Sequence, residues 1–291
     1  MRHILFNYCL LFSLCSYSSL AQHILFYNVE NLFDTLHDRG KNDFDFTPNG
    51  AYSYASPTYF LKIRQTARAL RSAMNTTEHT IDIIAVAEVE NRTVLLDLAK
   101  HKAIRSFGPW RIVHFDSPDR RGIDCGALIN LSTSRVIQSK PITYSSGHFK
   151  TRDALLLVTR SASQKDSIDL TSVIVHLPSK RGGALKSAPF RRMALSAVLA
   201  ELDCDSAQNQ LIVGDFNDLS TADYFQNIMD SGWTAPGFSH PKNINGTYKF
   251  QGRWQHMPWS RRPREQLPEP LFSLSLPRAS CDFRWRSMTR F

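Results

Sequence analysis

Polar side chains follow four apolar stretches of this sequence, at the points where the apolar runs end. Asn28 follows "ILFY", Glu88 follows "IIAVA", His176 follows "SVIV" and Asp215 follows "LIVG". Asn217 comes two residues after Asp215, within "GDFND". Because ligands bind where the ends of strands converge in layered α/β sheets, these side chains are expected to share one cleft.

The residue types suit the hydrolysis of a phosphate ester at a metal centre. Oxygen atoms of Glu88 and Asn28 can bind a hard divalent cation, which would neutralise a phosphate. Asp215 could take a proton from an attacking water, with Asn217 orienting that water, and His176 could stabilise the transition state or assist proton transfer. Any one Asp, Asn or Glu at a strand end is an ordinary turn former, so the hypothesis depends on all the strand ends together.

The elements that must position these residues alternate between strand-like and helix-like patterns from residue 23 onward. The apolar runs predict strands, because they are short and rich in branched residues. The predicted strands are "HILFYNV" (23–29), "IDIIAVA" (81–87), "WRIVHF", "CGALIN", "ALLLVTR", "IDLTSVIVHL" and the stretch before Asp215. This alternation favours a single α/β domain of layered sheets covered by helices.

Three helices are predicted between the strands. The spacing of three and four residues in "YFLKIRQTARALRSAM" predicts a buried face of Phe60, Ile63, Ala67, Leu70 and Met74. Asn91 is expected to cap the helix "NRTVLLDLAKH". In "SAPFRRMALSAVLAEL", Ser187 is expected to be the cap and Pro189 to lie in the first turn. The polar stretch from 40 to 57 predicts a surface loop.

The N-terminus has the layout of a secretory signal peptide. Arg2 precedes an apolar run, and Ser19-Leu20-Ala21 provides small residues for cleavage after Ala21. A short membrane anchor is the alternative, but the run is too short to span a bilayer comfortably. We therefore expect an exported monomer without stable membrane insertion. Three widely spaced cysteines remain after cleavage, which indicates buried small residues rather than a disulfide framework.

Six segments together resemble the endonuclease/exonuclease/phosphatase superfamily, and most closely its exported bacterial branch. They are "NVENLFD" (28–34), "VAEVEN" (86–91), "RGID" (121–124), "HLPSKRGG" (176–183), "GDFND" (214–218) and "GTYKFQGRW" (246–254). The resemblance implies a four-layer α-β-β-α sandwich of the deoxyribonuclease I type and cleavage of phosphate esters that depends on Mg²⁺ or Mn²⁺.

The resemblance also implies roles for individual residues. Asn28 and Glu88 match metal-site positions, His176 matches a catalytic histidine, and Asp215 with Asn217 match the water-activating pair. Arg181 is a weaker candidate for a phosphate contact, and a solvated loop charge is the equal alternative. Arg121 and Asp124 lie in a matching motif without an assigned role. The implied partner is a phosphate-ester substrate, with nucleic acid as one candidate; the net charge of +9 does not select it.

The C-terminus departs from the superfamily pattern. Family members carry an acid shortly after the Trp that matches Trp254, and then a near-terminal Ser-Asp-His, and neither occurs here. From Arg253 to Phe291 the chain has eight Arg, no Lys and five Pro, without an apolar period. The sequence therefore predicts a signal peptide (1–21), a phosphoesterase domain (22–255) and an atypical, frame-shifted tail (256–291) with the last strand missing or altered.

Two interpretations of function remain open from the sequence. One is a secreted endonuclease or phosphodiesterase with impaired activity. The other is a catalytically inactive secreted relic that binds only metal or phosphate. The absent final motif favours reduced activity, whereas the ordered match of the other motifs favours descent from the enzyme family.

Overall fold

The structure is a computed structural model in which most of the chain up to residue 234 is described. The described residues are 22–144, 150–162, 169–180, 183–203, 209–218, 222–230 and 232–234, with the backbone of four short strands between 248 and 275. The predicted signal peptide therefore lies outside the described residues. Among the described helices, none is both long and apolar enough to span a bilayer.

Two five-stranded sheets form the centre of the described part of the chain. The first has the strand order β12-β1-β2-β4-β3, and the second has the order β11-β8-β7-β6-β5, while β9 and β10 form a hairpin. The strands are β1 (Ile24–Leu32), β2 (Ile83–Val89), β3 (Trp110–His114), β4 (Asp124–Asn130), β5 (Ser134–Ile142), β6 (Ala154–Ser161), β7 (Leu170–His176), β8 (Asn209–Asp215), β9 (Tyr248–Phe250), β10 (Arg253–Gln255), β11 (Ser260–Arg262) and β12 (Ser273–Ser275).

Helices cover the outer faces of both sheets. They are α1 (Ser56–Met74), α2 (Arg92–Lys100), α3 (Lys102–Arg105), α4 (Ala184–Asp203) and α5 (Asp223–Asp230), and a short 3₁₀-helix spans Phe44–Phe46. One buried apolar cluster joins α1, α2 and α3 to the outer face of the first sheet. A second cluster fills the space between the sheets and continues under α4 and α5. The layers are therefore α-β-β-α, as predicted.

The buried face of α1 differs from the predicted face at one position. Ile63, Ala67, Leu70 and Met74 are buried as expected, whereas Phe60 is 58% exposed. The neighbouring Tyr59 is buried in its place, and its hydroxyl donates to Asp97 on α2 at 2.7 Å. The apolar period alone could not choose between these two adjacent aromatic residues. The choice depends on a polar partner on α2, which Tyr59 has and which the spacing does not reveal.

The two predicted helix caps have different outcomes. Asn91 caps α2, since its side-chain oxygen accepts the backbone N–H groups of Thr93 and Val94 at 2.8 and 3.1 Å. The prediction for Ser187 is wrong, because α4 already begins at Ala184. The Ser187 hydroxyl donates back to the Gly183 carbonyl at 2.9 Å, and Pro189 lies inside the helix. Pro189 is close enough to the N-terminus that only one early helical hydrogen bond is lost.

The atypical tail contributes short strands at the edges of both sheets. β12 pairs in parallel with β1 along Ile24–Phe26, and β11 pairs antiparallel with β8 along Gln210–Ile212. Both partner strands carry predicted site residues beyond these paired segments, Asn28 on β1 and Asp215 at the end of β8. The frame-shift hypothesis for residues 256–291 concerns the coding sequence and stays a prediction.

Candidate active site

Four central strands bring predicted site residues to one edge of the sandwich, β2, β7 and β8 near their carboxyl ends and β1 at its middle. β1 and β2 run parallel with Asn28 opposite Ala87, so that Glu88 follows directly beside Asn28. β7 and β8 run parallel with His176 opposite Asp215. Because β1 contacts β8 and β2 contacts β7 across the space between the sheets, the two pairs face each other. The structure therefore brings the predicted strand-end residues together.

Asn28 links the two sheets through its side-chain amide. Its Nδ2 donates to Glu88 Oε1 at 3.2 Å and to Asp215 Oδ2 at 3.0 Å, while its Oδ1 accepts the Glu30 N–H at 2.9 Å. His176 Nε2 lies 3.7 Å from the same Glu88 oxygen. Asn28, Glu88, His176 and Asp215 are all buried, so these polar contacts act in a medium that screens charge weakly.

Asn217 holds the second oxygen of Asp215. Its backbone N–H donates to Asp215 Oδ1 at 2.9 Å, and its side-chain Nδ2 donates to the Leu177 carbonyl at 2.8 Å. The Leu177 N–H in turn donates to the Asp215 carbonyl at 2.9 Å. Amide groups therefore orient both Asp215 oxygens, one amide from each sheet. Because the carboxylate is already held in one direction, its side chain would lose little entropy during a reaction.

Backbone strain is concentrated at these strand ends. Glu88 and Asn217 have left-handed backbone conformations with φ of 65° and 50°. Such conformations cost about 1–3 kcal/mol for residues other than glycine and cluster at functional sites. Gly214, just before Asp215, has φ of 153°, and a Cβ there would lie 1.9 Å from the Val175 carbonyl oxygen. Only glycine lets β8 approach β7 closely at this point.

Arg152 is a buried residue of the site that the sequence analysis did not find. Its Nε donates to the His176 carbonyl and its Nη2 donates to the Leu177 carbonyl, both at 2.9 Å. Its Nη1 lies 3.5 Å from Asp119 Oδ2. Because Leu177 O also accepts the Asn217 side chain, Arg152 fixes the backbone that orients two predicted site residues. Its targets are backbone carbonyls far away in sequence, so no motif spacing reveals it.

A second buried arginine holds the segment after β8. Arg191 is fully buried in α4, and its Nε donates to Asp218 Oδ2 at 3.0 Å. Its Nη1 donates to the Ser187 hydroxyl at 2.7 Å, and Lys180 Nζ lies 2.6 Å from Asp218 Oδ1. Asp218, the last residue of "GDFND", is therefore an anchor for the segment that carries Asn217 rather than a candidate for chemistry.

The other motif residues have structural contacts. The Asp124 carboxylate accepts hydrogen bonds from the Ser117 N–H, at 3.2 Å, and from the Ser117 hydroxyl. It also lies 3.3 Å from His114 Nε2. It therefore closes the loop between β3 and β4. The Arg121 guanidinium donates to Asn31 Oδ1, next to the end of β1. Arg181, the weaker phosphate candidate, lies outside the described residues.

Burial controls the ionisation of two further groups near Arg152. It raises the pKa of Asp153, with a hydrogen bond from the Thr143 hydroxyl opposing the rise and the charge of Asp124 adding to it. Burial also raises the pKa of the Cys125 thiol, although the Arg152 charge opposes this. Cys125 is therefore a neutral, buried residue, as the sequence predicts. Cys204 and Cys281 lie outside the described residues.

The side chains that meet here fit a hard divalent cation. Glu88 and Asp215 are buried carboxylates that both accept from the Asn28 amide nitrogen, whereas the Asn28 amide oxygen accepts the Glu30 N–H. Oxygen ligands of this kind are those that Mg²⁺, Mn²⁺ and Ca²⁺ prefer. A cation would also relieve the repulsion between two buried negative charges.

Comparison with known proteins identifies the family of this chain. The sequence pattern of a family described as the Endonuclease/Exonuclease/phosphatase family matches residues 23–257. The chain belongs to this family. The matched range spans every predicted site residue, and the family is one of phosphoesterases. No match to the chain was found among curated protein sequences.

Solved structures of this family share the fold at low sequence identity. A family member from Bacteroides thetaiotaomicron superposes with a TM-score of 0.52 at 11% identity, over 84% of each chain. The mannosyl-6-phosphatase of Bacteroides thetaiotaomicron gives 0.51 at 12% identity, over 84% of this chain and 86% of that one. ANGEL2, a 2',3'-cyclic phosphatase, gives 0.50 at 13% identity over 75% of this chain, which spans only 58% of ANGEL2. These likenesses show the fold alone.

Proposed function

We propose that this chain is an exported phosphoesterase that depends on Mg²⁺ or Mn²⁺ and hydrolyses a phosphodiester, with nucleic acid as the leading substrate class. The observation that carries the proposal is the amide of Asn28, which donates to Glu88 and Asp215 at 3.2 and 3.0 Å across two sheets. A turn-forming role for each residue would not require the buried side chains to converge. Family membership supports the choice of phosphate esters.

The residues divide into metal-binding and proton-handling groups. Glu88 and Asn28 would hold the cation, whose charge lowers the energy of the phosphate and of the developing negative charge. Asp215 accepts the proton of the attacking water, because its carboxylate is held in one direction by Asn28 and Asn217. His176, beside Glu88, stabilises the charge that develops on the phosphate oxygens or assists proton transfer.

Export and reduced turnover complete the proposal. The layout of residues 1–21 supports export through a signal peptide. The absence of a Ser-Asp-His sequence after Trp254 supports impaired activity, since the family resemblance assigns that motif one metal-binding Asp and one catalytic His. The second candidate, an inactive relic that binds metal or phosphate, is favoured by the same absence.

The decisive experiment combines kinetics with metal binding on the same purified chains. Hydrolysis of bis(p-nitrophenyl) phosphate and nicking of plasmid DNA would be followed with Mg²⁺, with Mn²⁺ and with EDTA. Asp215→Ala and His176→Ala should each lower the rate by about 10²- to 10⁴-fold, the usual contribution of positioned acid–base groups. Glu88→Gln should instead raise the cation concentration needed for half-maximal rate.

A matched control comes from Asp223, an exposed acid at the start of α5, whose change to Asn should leave the rate unaltered. Full activity of Asp215→Ala would refute the assignment of the water-activating residue. A chain that binds Mn²⁺ at Glu88 but hydrolyses neither substrate would select the relic interpretation. Activity that survives EDTA would rule out metal dependence.

A further inference from the structure

Three carboxylates converge beside the predicted active site but are not part of it. Asp38, Asp43 and Glu90 each offer one oxygen atom, and these atoms lie within 4.8 Å of one another. We call these residues the loop cluster, because Asp38 and Asp43 lie in the loop after β1. Glu90 comes directly after β2, two residues beyond Glu88. The loop cluster therefore joins this loop to the strand that carries a predicted metal ligand.

Glu90 provides the observation that points to a ligand. It is only 3% exposed, and its Oε2 accepts the Asp34 N–H at 2.6 Å and the Asn91 side chain at 3.3 Å. Its Oε1 is buried and has no hydrogen-bond partner in the part of the chain that the structure describes. Leaving a buried carboxylate oxygen unpartnered is costly, and such atoms are rare unless water or an ion satisfies them.

The charges around the loop cluster also favour a cation. Asp43 is 1% exposed, and its carboxylate contacts His37 and accepts the Asp38 N–H at 2.8 Å. The ammonium group of Lys41 is directed to two backbone carbonyls of the 117–119 segment at 2.8 and 2.9 Å. Partial burial and then the charge of Asp43 raise the pKa of Asp38. Repulsion between the carboxylates is therefore only partly offset by these neighbours.

We propose that Asp38, Asp43 and Glu90 bind a calcium-type divalent cation at a site separate from the phosphoesterase centre. Calcium binds carboxylate oxygens at about 2.3–2.6 Å, so two ligands on opposite sides of the ion lie about 5 Å apart. Oxygen atoms that lie within 4.8 Å of one another, as those of the loop cluster do, are close enough to bind one such ion. Magnesium demands near-ideal octahedral geometry and gives up its water reluctantly, so three carboxylates from a loop and a strand suit calcium better.

Cation binding would hold the loop after β1 in one position beside the predicted active site. A cation held by all three carboxylates ties the loop after β1 to the end of β2, where Glu88 has its strained backbone. Because the unfolded chain lacks this arrangement, calcium should stabilise the folded state by mass action. The proposal does not require catalysis, so its test can succeed or fail independently of the proposed function.

The test measures calcium binding in a chain whose catalytic metal site is disabled. In an otherwise intact Glu88→Gln/Asp215→Asn chain, Ca²⁺ would be titrated by calorimetry and by thermal unfolding. Asp38→Asn is the informative third change, because Asp38 is exposed and its loss should not prevent folding. Asp45→Asn is the matched control, since Asp45 is an exposed acid of the same loop outside the loop cluster.

We expect one equivalent of Ca²⁺ to bind and to raise the unfolding temperature of the disabled chain. Asp38→Asn should weaken this binding by about tenfold or more, because affinity in oxygen sites follows the number of charged ligands. Adding Asp45→Asn to the disabled chain should leave its Ca²⁺ affinity unchanged. The proposal is overturned if the disabled chain shows no Ca²⁺ binding, if Mg²⁺ binds more tightly than Ca²⁺, or if Asp38→Asn and Asp45→Asn bind equally well.

Discussion

Replacement of Arg152 by Met tests how the site is held. Arg152 touches no reacting atom in the proposed mechanism, but it donates to the carbonyls of His176 and Leu177. Methionine has a similar length and can occupy the same buried space, so that the change removes donors and charge with little change in volume. The variant therefore separates the positioning of the site from its chemistry.

The expected loss of stability follows from the contacts that disappear. A hydrogen bond from a charged donor contributes about 1.5–3 kcal/mol, and removing one partner of a buried ion pair costs about 3–5 kcal/mol. In the variant, Asp119 would still accept the Arg121 N–H at 2.8 Å, so the loss of stability should lie at the lower end of the range for a broken ion pair. We expect Arg152→Met to lower the free energy of unfolding by about 3 kcal/mol, because the His176 and Leu177 carbonyls each lose a charged donor, although the Leu177 carbonyl keeps the Asn217 side chain.

The kinetic effect should appear mainly in kcat. His176 and Asn217 both depend on the backbone that Arg152 holds, and a displacement of about 1 Å can cost a hundredfold in rate. We expect a decrease in kcat of about 10- to 100-fold with a small change in KM, since the substrate does not contact Arg152. The kcat of Arg152→Lys should lie between those of the unchanged chain and Arg152→Met, because a single ammonium cannot donate in the fork geometry of a guanidinium.

Urea denaturation and steady-state hydrolysis of bis(p-nitrophenyl) phosphate would measure both effects. Arg160→Met is the matched control, because Arg160 lies on β6, just after the segment that carries Arg152, and pairs with Asp169 at the surface. That change should leave stability and rate unaltered within error, as isolated surface pairs contribute little. The reasoning is refuted if Arg152→Met and Arg160→Met unfold at the same urea concentration. Lower stability with an unchanged kcat would refute only the positioning role.

Three further predictions concern the β7–β8 contact and the two ends of the chain. Gly214→Ala should lower the free energy of unfolding by about 2–4 kcal/mol in urea denaturation, because its Cβ must displace the Val175 carbonyl; wild-type stability would contradict the close approach. Gln22 should be the first residue of the exported protein, and an intact mass that retains residues 1–21 would contradict this. Sequencing the locus should reveal, in a neighbouring frame, an acid shortly after the Trp254 codon and then Ser-Asp-His; if no frame encodes them, the tail is native.

The sequence predicted the ends of β2, β7 and β8 to within two residues because each one is a local signal, whereas β1 continues past Asn28 to Leu32. A short apolar run that ends in a polar residue needs no knowledge of distant contacts, and Asn28, Glu88, His176 and Asp215 all have this form. Their convergence also follows from parallel pairing, which places the carboxyl ends of neighbouring strands at one edge. Local signals could not predict that the Asn28 amide bonds to residues of both sheets, since this contact depends on how the sheets pack.

The residues that the sequence did not reveal act over long sequence distances. Arg152 donates to carbonyls 24 and 25 positions away, and Arg191 holds Asp218 at a separation of 27. A charged residue beside an apolar run usually indicates a solvated face, so neither arginine stood out. The buried side chain of Arg191, one turn further along α4, also explains the error at Ser187, whose hydroxyl accepts from Arg191 inside the helix and does not cap it.

The position of the tail strands separates the stability of the fold from the activity of the site. β12 pairs with β1 and β11 pairs with β8 through backbone groups, which nearly any residue other than Pro can provide. An altered tail can therefore cover the sheet edges beside the strands that carry Asn28 and Asp215. A metal-binding Asp and a catalytic His cannot be replaced in this way, because their side chains perform the chemistry. A changed reading frame should consequently reduce turnover much more than it reduces the stability of the sandwich.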